Sequence, residues 1–405
     1  MIKRGRGGCK VLLFTGSFPP PAAGGSIEYI YNIFSNLPPG SVIVNTSKSN
    51  AKQTKEFDLN FPQQVVRRGF IVHVLNETGT NKFKNIAGLF KWVLSGMWMI
   101  LCERPDVVHI GEYNYSFIAA LLAKKIFNTP YVLYTYAEEI TYLSTRPLRL
   151  WFFQLALKNA SAVITVSEYT KSLLIAYGAQ PSVIYKVLPS VSERKRRVPP
   201  QEEIDGLRSK YNFQDRKILL TIGRLEERKG HLSVIEALPK ILESIPTALY
   251  VIAGTGPFEA RLKEQVLLSK LSQHVLIVGR VSDDEVASLY EVCDIFIMPH
   301  RQLPFTFDTE GCPTVFLEAS AHGKPVLGGN AGGVADAILD GKTGYIIDGT
   351  DTGQISKRVI GLLQNRELSN TLGEAGRKYV DKLRPETSAK AIDDINKYLI
   401  NLKSN

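Results

Sequence analysis

Residues 218–230 read Ile-Leu-Leu-Thr-Ile-Gly-Arg-Leu-Glu-Glu-Arg-Lys-Gly. A short apolar run with β-branched residues stops at Gly223-Arg224, and Arg224 and Lys229 then stand five apart around a strand-to-helix turn. Residues 249–257, Leu-Tyr-Val-Ile-Ala-Gly-Thr-Gly-Pro, form a second such run closed by glycine and proline. Strand-like and helix-like hydrophobic periods alternate in this way along the whole chain, which predicts an α/β architecture with parallel strands.

Further on, residues 308–319 read Asp-Thr-Glu-Gly-Cys-Pro-Thr-Val-Phe-Leu-Glu-Ala. Pro313 suits the first turn of a helix, where a missing N–H has no intrahelical partner to lose. Glu310 then lies in the loop entering the helix and Glu318 in its second turn. Thr314 and Val315 present backbone N–H groups in front of the helix, a ready seat for an anion. The stretch reads as a phosphate seat flanked by two carboxylates able to accept hydrogen bonds from sugar hydroxyls.

Taken in order, Gly-Arg-Leu-x3-Lys-Gly, Ala-Gly-x-Gly-Pro, Glu-x7-Glu, Gly-Lys-Pro-Val and Gly-Gly-Val resemble the donor-binding half of glycosyltransferase family 4. The resemblance is strongest over about residues 216–350 and covers nearly the whole chain. It implies a GT-B fold: two facing Rossmann-like domains with the active site in a central cleft. The expected division is an acceptor-binding domain over 1–195, a nucleotide-sugar domain over 201–384, and a helix over 385–405 crossing back to the first domain. Ser192–Pro200, charged and ending in two prolines, is the expected linker.

The activity implied is a metal-independent, retaining transfer of a hexosyl group. It runs from a UDP- or GDP-linked sugar to a hydroxyl of a lipid-linked or glycan acceptor. The nucleotide sugar is substrate, and no cofactor or metal is expected. By resemblance Arg224 and Lys229 contact the diphosphate, where fixed cations stabilise the charge that builds as the nucleoside diphosphate departs. Glu318 accepts from the ribose hydroxyls. Glu310 contacts the donor sugar near the reacting carbon, Gly24 and Gly25 approach the donor phosphate and sugar, and Val281 frames the base. Two departures stand out. Pro313 replaces a frequent glycine, removing one N–H. Tyr136 replaces a histidine after the strand Tyr131–Tyr134, so Tyr136, Glu138 and His109 are the acceptor-side candidates. Asp283-Asp284, after Ser282, reads as an acid-rich helix start rather than a metal site. An inactive nucleotide-sugar-binding scaffold and a sugar-nucleotide epimerase stay open as alternatives.

In the first half a strand over Val11–Phe14 leads through a glycine- and proline-rich loop to a helix over Ser26–Leu37, with Ser26 as N-cap. Further strands are expected at Ser41–Asn45, Phe70–Leu75, Asp106–Ile110, Tyr131–Tyr134, Ala162–Val166 and Val183–Val187. The helix over Asn85–Cys102 is apolar nearly all round, which predicts a core helix, with a surface helix dipping into lipid headgroups as the other reading. Arg146–Phe153 mixes base and aromatic in the same way. The last helix carries Ala391, Ile395, Leu399 and Leu402 on one stripe.

A chain of 405 residues predicts two domains. Cys9, Cys102, Cys293 and Cys312 are scattered without metal-ligand spacing, which fits a reducing compartment. The basic N-terminus leads into a strand rather than a signal-peptide apolar region, so a cytoplasmic location is expected. Charge is uneven. Residues 1–200 hold 24 Lys and Arg against 11 Asp and Glu, a surplus of 13 positive charges, whereas residues 201–405 hold 25 against 28. No nucleic-acid motif accompanies the basic half, which leaves two readings: an anionic membrane surface as its partner, or surplus lysines that only aid solubility.

Overall fold

The computed structural model describes residues 9–20, 24–49, 54–68, 82–304 and 308–404. The chain divides into two compact units, Met1–Pro189 with Pro385–Asn405, and Ser190–Arg384.

Among its described residues the first unit holds seven strands: β1 (Val11–Phe14), β2 (Val42–Ser47), β3 (Gln64–Arg68), β4 (Val107–Ile110), β5 (Tyr131–Thr135), β6 (Ala162–Thr165) and β7 (Ile184–Lys186). They form one parallel sheet in the order β3-β2-β1-β4-β5-β6-β7. Leu13 of β1 pairs with Val44 of β2 on one side and His109 of β4 on the other. The order reverses between β1 and β4, and loops at the carboxyl ends of such strands are where doubly wound sheets bind ligands.

The expected strand Phe70–Leu75 lies outside the described residues. The strand beside β2 is Gln64–Arg68, which sequence reading passed over because it ends in two arginines. Arg67 is tolerated there because Asp58 takes its Nε at 2.9 Å and the Phe18 and Pro19 carbonyls accept from its guanidinium. Ser26 is not an N-cap: the helix runs Gly25–Ser35 and Gly24 occupies the cap, with no side-chain cap bond. Gly24 has φ +148°, a conformation that side chains with a Cβ rarely adopt.

The apolar helix runs Lys82–Glu103. Met99 and Ile100 are buried in the core, but Phe90, Leu94, Trp98 and Leu101 are half to two-thirds exposed. Their spacing of four, four and three places them on one face. The core reading therefore holds for one side of this helix only. Among the described residues no helix is long and apolar enough to cross a membrane.

The helix Pro385–Ser404 belongs to the first unit, packing on Gly25–Ser35 and on β4. Its inner face carries Ala389, Ile392, Ile395 and Leu399, whereas Leu402 of the expected stripe is 57% exposed.

The second unit holds β8 (Lys217–Ile222), β9 (Ala248–Ala253), β10 (Val275–Gly279), β11 (Ile295–Met298), β12 (Val326–Gly329) and β13 (Gly344–Ile347). These also form a parallel sheet, ordered β10-β9-β8-β11-β12-β13, with its switch between β8 and β11. Apolar layers lie on both faces, as continuous apolar strands require. The segment expected as a linker is packed. Its helix Glu193–Arg196 lies against the helices Asp283–Val292 and Thr314–Ala321, and Arg196 donates to the carbonyls of Val191 and Val380 and pairs with Asp381.

Candidate functional site

The loop leaving β8 runs Gly223 to Gly230 and contains a single helical turn, Glu227–Lys229. It is acidic and basic by turns, and the charges pair internally. Arg224 is 71% exposed and its Nη1 lies 3.1 Å from Glu226 Oε1. Glu226 also takes Arg228 Nη2 at 2.9 Å. Arg228 and Lys229 both donate to Oε1 of Glu310. Burial raises the Glu310 carboxyl, but Lys229 and Arg228 more than offset it and bring it down to about 2. The loop thus stores two cations on a carboxylate that stays ionised. Sequence reading identified Arg224 and Lys229 but passed over Arg228. Its adjacency to Lys229 was the available signal.

Glu310 is fixed from behind. Its carbonyl accepts from Gly333 N at 2.9 Å. A Cβ on Gly332, at φ +59°, would strike that same carbonyl, so this glycine is required by close backbone approach. His300, buried after β11, lies 3.0 Å from the Ala331 carbonyl and 3.1 Å from that of Met298.

The helix behind the loop is Thr314–Ala321, and Pro313 holds its N-cap position rather than its first turn. Thr314 and Val315 stand in the first turn, where N–H groups have no intrahelical acceptor. Glu318 lies in the second turn with its side chain 6% exposed. Three donors reach its carboxylate. Lys195 Nζ lies 2.7 Å and Thr314 Oγ1 3.3 Å from Oε1, and the Tyr290 hydroxyl lies 3.0 Å from Oε2. Lys195 and Tyr290 left no local signal in the sequence. Ser282 caps the helix Asp283–Val292 by accepting from Glu285 N at 3.2 Å, as its acid-rich start implied. Val281 just before it packs half-buried on the core. Among the described residues no group of His, Cys, Asp and Glu is arranged to hold a metal ion.

In the first unit the acceptor-side candidates fall in different environments. His109 is fully buried, with Nδ1 3.0 Å from the Tyr134 hydroxyl and Nε2 2.8 Å from Asn396 Oδ1. Burial lowers its basicity to about 4. It is a packing residue tying β4 to the last helix. The Tyr136 hydroxyl donates to the Gly111 carbonyl at 2.6 Å, and burial holds its proton well above the ordinary range. Glu138 is exposed in the first turn of the helix Glu138–Leu143.

Beside them lie two features the sequence did not announce. Glu139 is buried and accepts from Tyr136 N at 2.6 Å, and burial raises its carboxyl to about 7. Ala137 has φ +83° and ψ −50°, a γ-turn conformation rare for a residue with a Cβ.

Residues 203–379 match the sequence family described as glycosyl transferases group 1, and residues 6–189 match glycosyltransferase family 4. The GDP-mannose-dependent monoacylated alpha-(1-6)-phosphatidylinositol monomannoside mannosyltransferase of Corynebacterium glutamicum is 28% identical over 376 residues. That match spans 92% of this chain and 93% of the relative. The GDP-mannose-dependent alpha-(1-6)-phosphatidylinositol monomannoside mannosyltransferase of Mycolicibacterium smegmatis is 34% identical over 222 residues, 55% of this chain. There the chain spans only 58% of the relative's length. Among solved structures, Anabaena HepE in complex with UDP superimposes with a TM-score of 0.76 over 98% of this chain and 100% of that one, at 17% identity. At that identity the likeness speaks to fold alone, and with the two parallel sheets it makes this a two-domain GT-B protein.

Proposed function

The chain belongs to the family 4, group 1 glycosyltransferases, and from that premise we propose that it moves mannose from GDP-mannose to a hydroxyl of a lipid-linked acceptor, with retention at the anomeric carbon. The observation that carries this reading is the pairing of a cation store, Arg228 and Lys229 on Glu310, with a buried carboxylate, Glu318, on the neighbouring helix. The choice of GDP-mannose rests on the names of the relatives most similar in sequence.

In this reading the diphosphate draws Lys229 and Arg228 off Glu310, joins exposed Arg224, and meets the N–H groups of Thr314 and Val315. Charge-assisted hydrogen bonds of this kind are the strong ones. Glu318 accepts from the ribose hydroxyls, and Val281 lies beside the base. Glu310, freed of its cations, accepts from hydroxyls of the sugar. The Gly24-Gly25 turn is assigned to the donor phosphate by family resemblance. The bond from the anomeric carbon to the phosphate oxygen breaks as the acceptor oxygen adds on the same face. The departing phosphate oxygen takes the acceptor's proton, so no protein nucleophile is required. Glu138 and Tyr136 are the acceptor-side assignments, and buried His109 is not carried forward.

The acceptor reading adds a location, peripheral on the inner face of an anionic membrane. Its support is the exposed stripe Phe90, Leu94, Trp98 and Leu101, with exposed Leu148 and Trp151 on the helix Pro147–Asn159. These lie in the half of the chain carrying the surplus of 13 positive charges. Apolar side chains amid basic ones suit the headgroup region of an anionic bilayer.

Calorimetric titration of GDP and of UDP into the wild type and Glu318→Ala tests the donor assignment. GDP binding that weakens in the variant is expected. Preference for UDP would overturn the mannose assignment, and binding of neither would overturn the donor assignment itself.

A further inference from the structure

His322 sits just past the end of the helix Thr314–Ala321 and is 3% exposed. Its Nδ1 lies 2.7 Å from Glu291 Oε1 and its Nε2 lies 2.9 Å from the Lys195 carbonyl oxygen. Both partners can only accept. The ring is thus seated between a carboxylate and a carbonyl oxygen. Burial raises the Glu291 carboxyl, but its hydrogen bond to His322 and the charges of His322, Lys324 and Arg377 more than offset this and leave it below the usual range.

The ring reaches Glu318 by two routes. Through the Lys195 carbonyl it fixes the backbone of the helix Glu193–Arg196, and Lys195 Nζ lies 2.7 Å from Glu318 Oε1. It also stacks on Tyr290, with ring centroids 5.4 Å apart and 21° between planes, and the Tyr290 hydroxyl reaches Glu318 Oε2. Both oxygens of the carboxylate are therefore oriented by groups that His322 holds.

We infer that His322 is a positioning residue for nucleotide recognition: by fixing Lys195 and Tyr290 it sets the direction in which Glu318 presents its remaining lone pairs to a ribose diol. This rests on the assignment of Glu318 to the ribose. Lys195, Tyr290 and His322 lie 123, 28 and 4 residues from Glu318 along the chain, and the network exists only in the folded unit. His300 makes a useful contrast. It too lies between two acceptors, but both are carbonyls, and burial lowers its basicity. It is the Glu291 carboxylate that sets His322 apart.

The test compares GDP with 2′,3′-dideoxy-GDP by calorimetry on the full chain, in wild type and His322→Gln. Hydrogen bonds to a charged group imply that wild type favours GDP by roughly tenfold or more. In His322→Gln that preference should fall at least about threefold, with dideoxy-GDP affinity changed by less than about twofold. An unchanged preference, or equal weakening of both nucleotides, would overturn the positioning role. A wild type that binds GDP without preferring it overturns the ribose assignment and this inference with it. A wild type that binds neither nucleotide overturns the donor reading itself.

Should His322→Gln not fold, Glu291→Gln gives the same decision, because it weakens the hold on the His322 ring. The preference should fall there too, with dideoxy-GDP affinity changed by less than about twofold. A preference equal to that of wild type overturns the inference.

Discussion

Replacing Glu310 by glutamine keeps its shape and removes the charge that stores Lys229 and Arg228. The carboxyl sits at about 2, against an ordinary 4.5, and all three side chains are less than a fifth exposed. A depressed carboxyl contributes stability that is fully present above its unfolded value and is lost as pH falls through its folded value. That lowering corresponds to roughly 3 kcal/mol of stability at pH 7. At pH 3.5 the same linkage leaves about 2 kcal/mol. Urea unfolding of wild type and Glu310→Gln at both pH values should therefore show the stability gap between them shrinking by roughly 1 kcal/mol. A gap of equal size at pH 7 and 3.5 would refute the view that an ionised Glu310 is what holds the two cations. The same variant carries a functional consequence with the opposite sign. With Lys229 and Arg228 released, GDP should bind as tightly as to wild type or more tightly, whereas mannosyl transfer should fall by roughly a hundredfold, as when an oriented transition-state contact is lost.

Further outcomes are expected at other positions. Ala137→Gly removes the strain of a positive φ and should stabilise the first unit by up to about 1 kcal/mol, read by thermal unfolding; a destabilised variant would show that the alanine methyl contributes more than the strain costs. Gly332→Ala pushes a methyl into the Glu310 carbonyl and should weaken donor turnover while leaving the first unit's melting unchanged. Trp98→Ser with Trp151→Ser should reduce co-sedimentation with vesicles rich in anionic lipid, and raised salt should release the wild type; sedimentation of the double variant equal to wild type would remove that surface from the membrane assignment. Arg228→Met should raise the donor KM about tenfold, since the lost contact is charge-assisted; an unaffected KM would leave Arg224 and Lys229 as the sufficient cations.

What the sequence disclosed, and what it hid, divides by the range of the interactions. Val11–Phe14 and the run ending at Ala253 are strands buried on both faces, so their apolar character is local and legible. Ser282 announced its helix because a cap bond spans only three residues. Gln64–Arg68 is not legible as a strand because the charge of Arg67 is satisfied by Asp58 and by carbonyls far along the chain. The outer face of the helix Lys82–Glu103 was misjudged because composition cannot distinguish a buried apolar side from an exposed one. Glu310 and Glu318 were legible through motif order. Their partners were not: Arg228 was hidden among neighbouring charges, and Lys195 sat in a segment whose charge and prolines resembled a linker. The lysine's contact lies 123 residues away, and no local pattern encodes it.

The hydrogen bond between His109 and Asn396 joins residues 287 apart in the chain, deep in the first unit. Synthesis proceeds from the N-terminus at roughly 5–20 residues per second. The seven strands of the first sheet are therefore made well before the helix that covers β4, and the entire second unit emerges in between. The unit begun first is the one completed last. Until that helix arrives, the imidazole of His109 lacks its acceptor and the inner faces of Ile392, Ile395 and Leu399 are missing from the first unit. A chain truncated after residue 384 would hold a whole second unit and an unfinished first one, and should expose apolar surface on the first unit to chaperones and proteases.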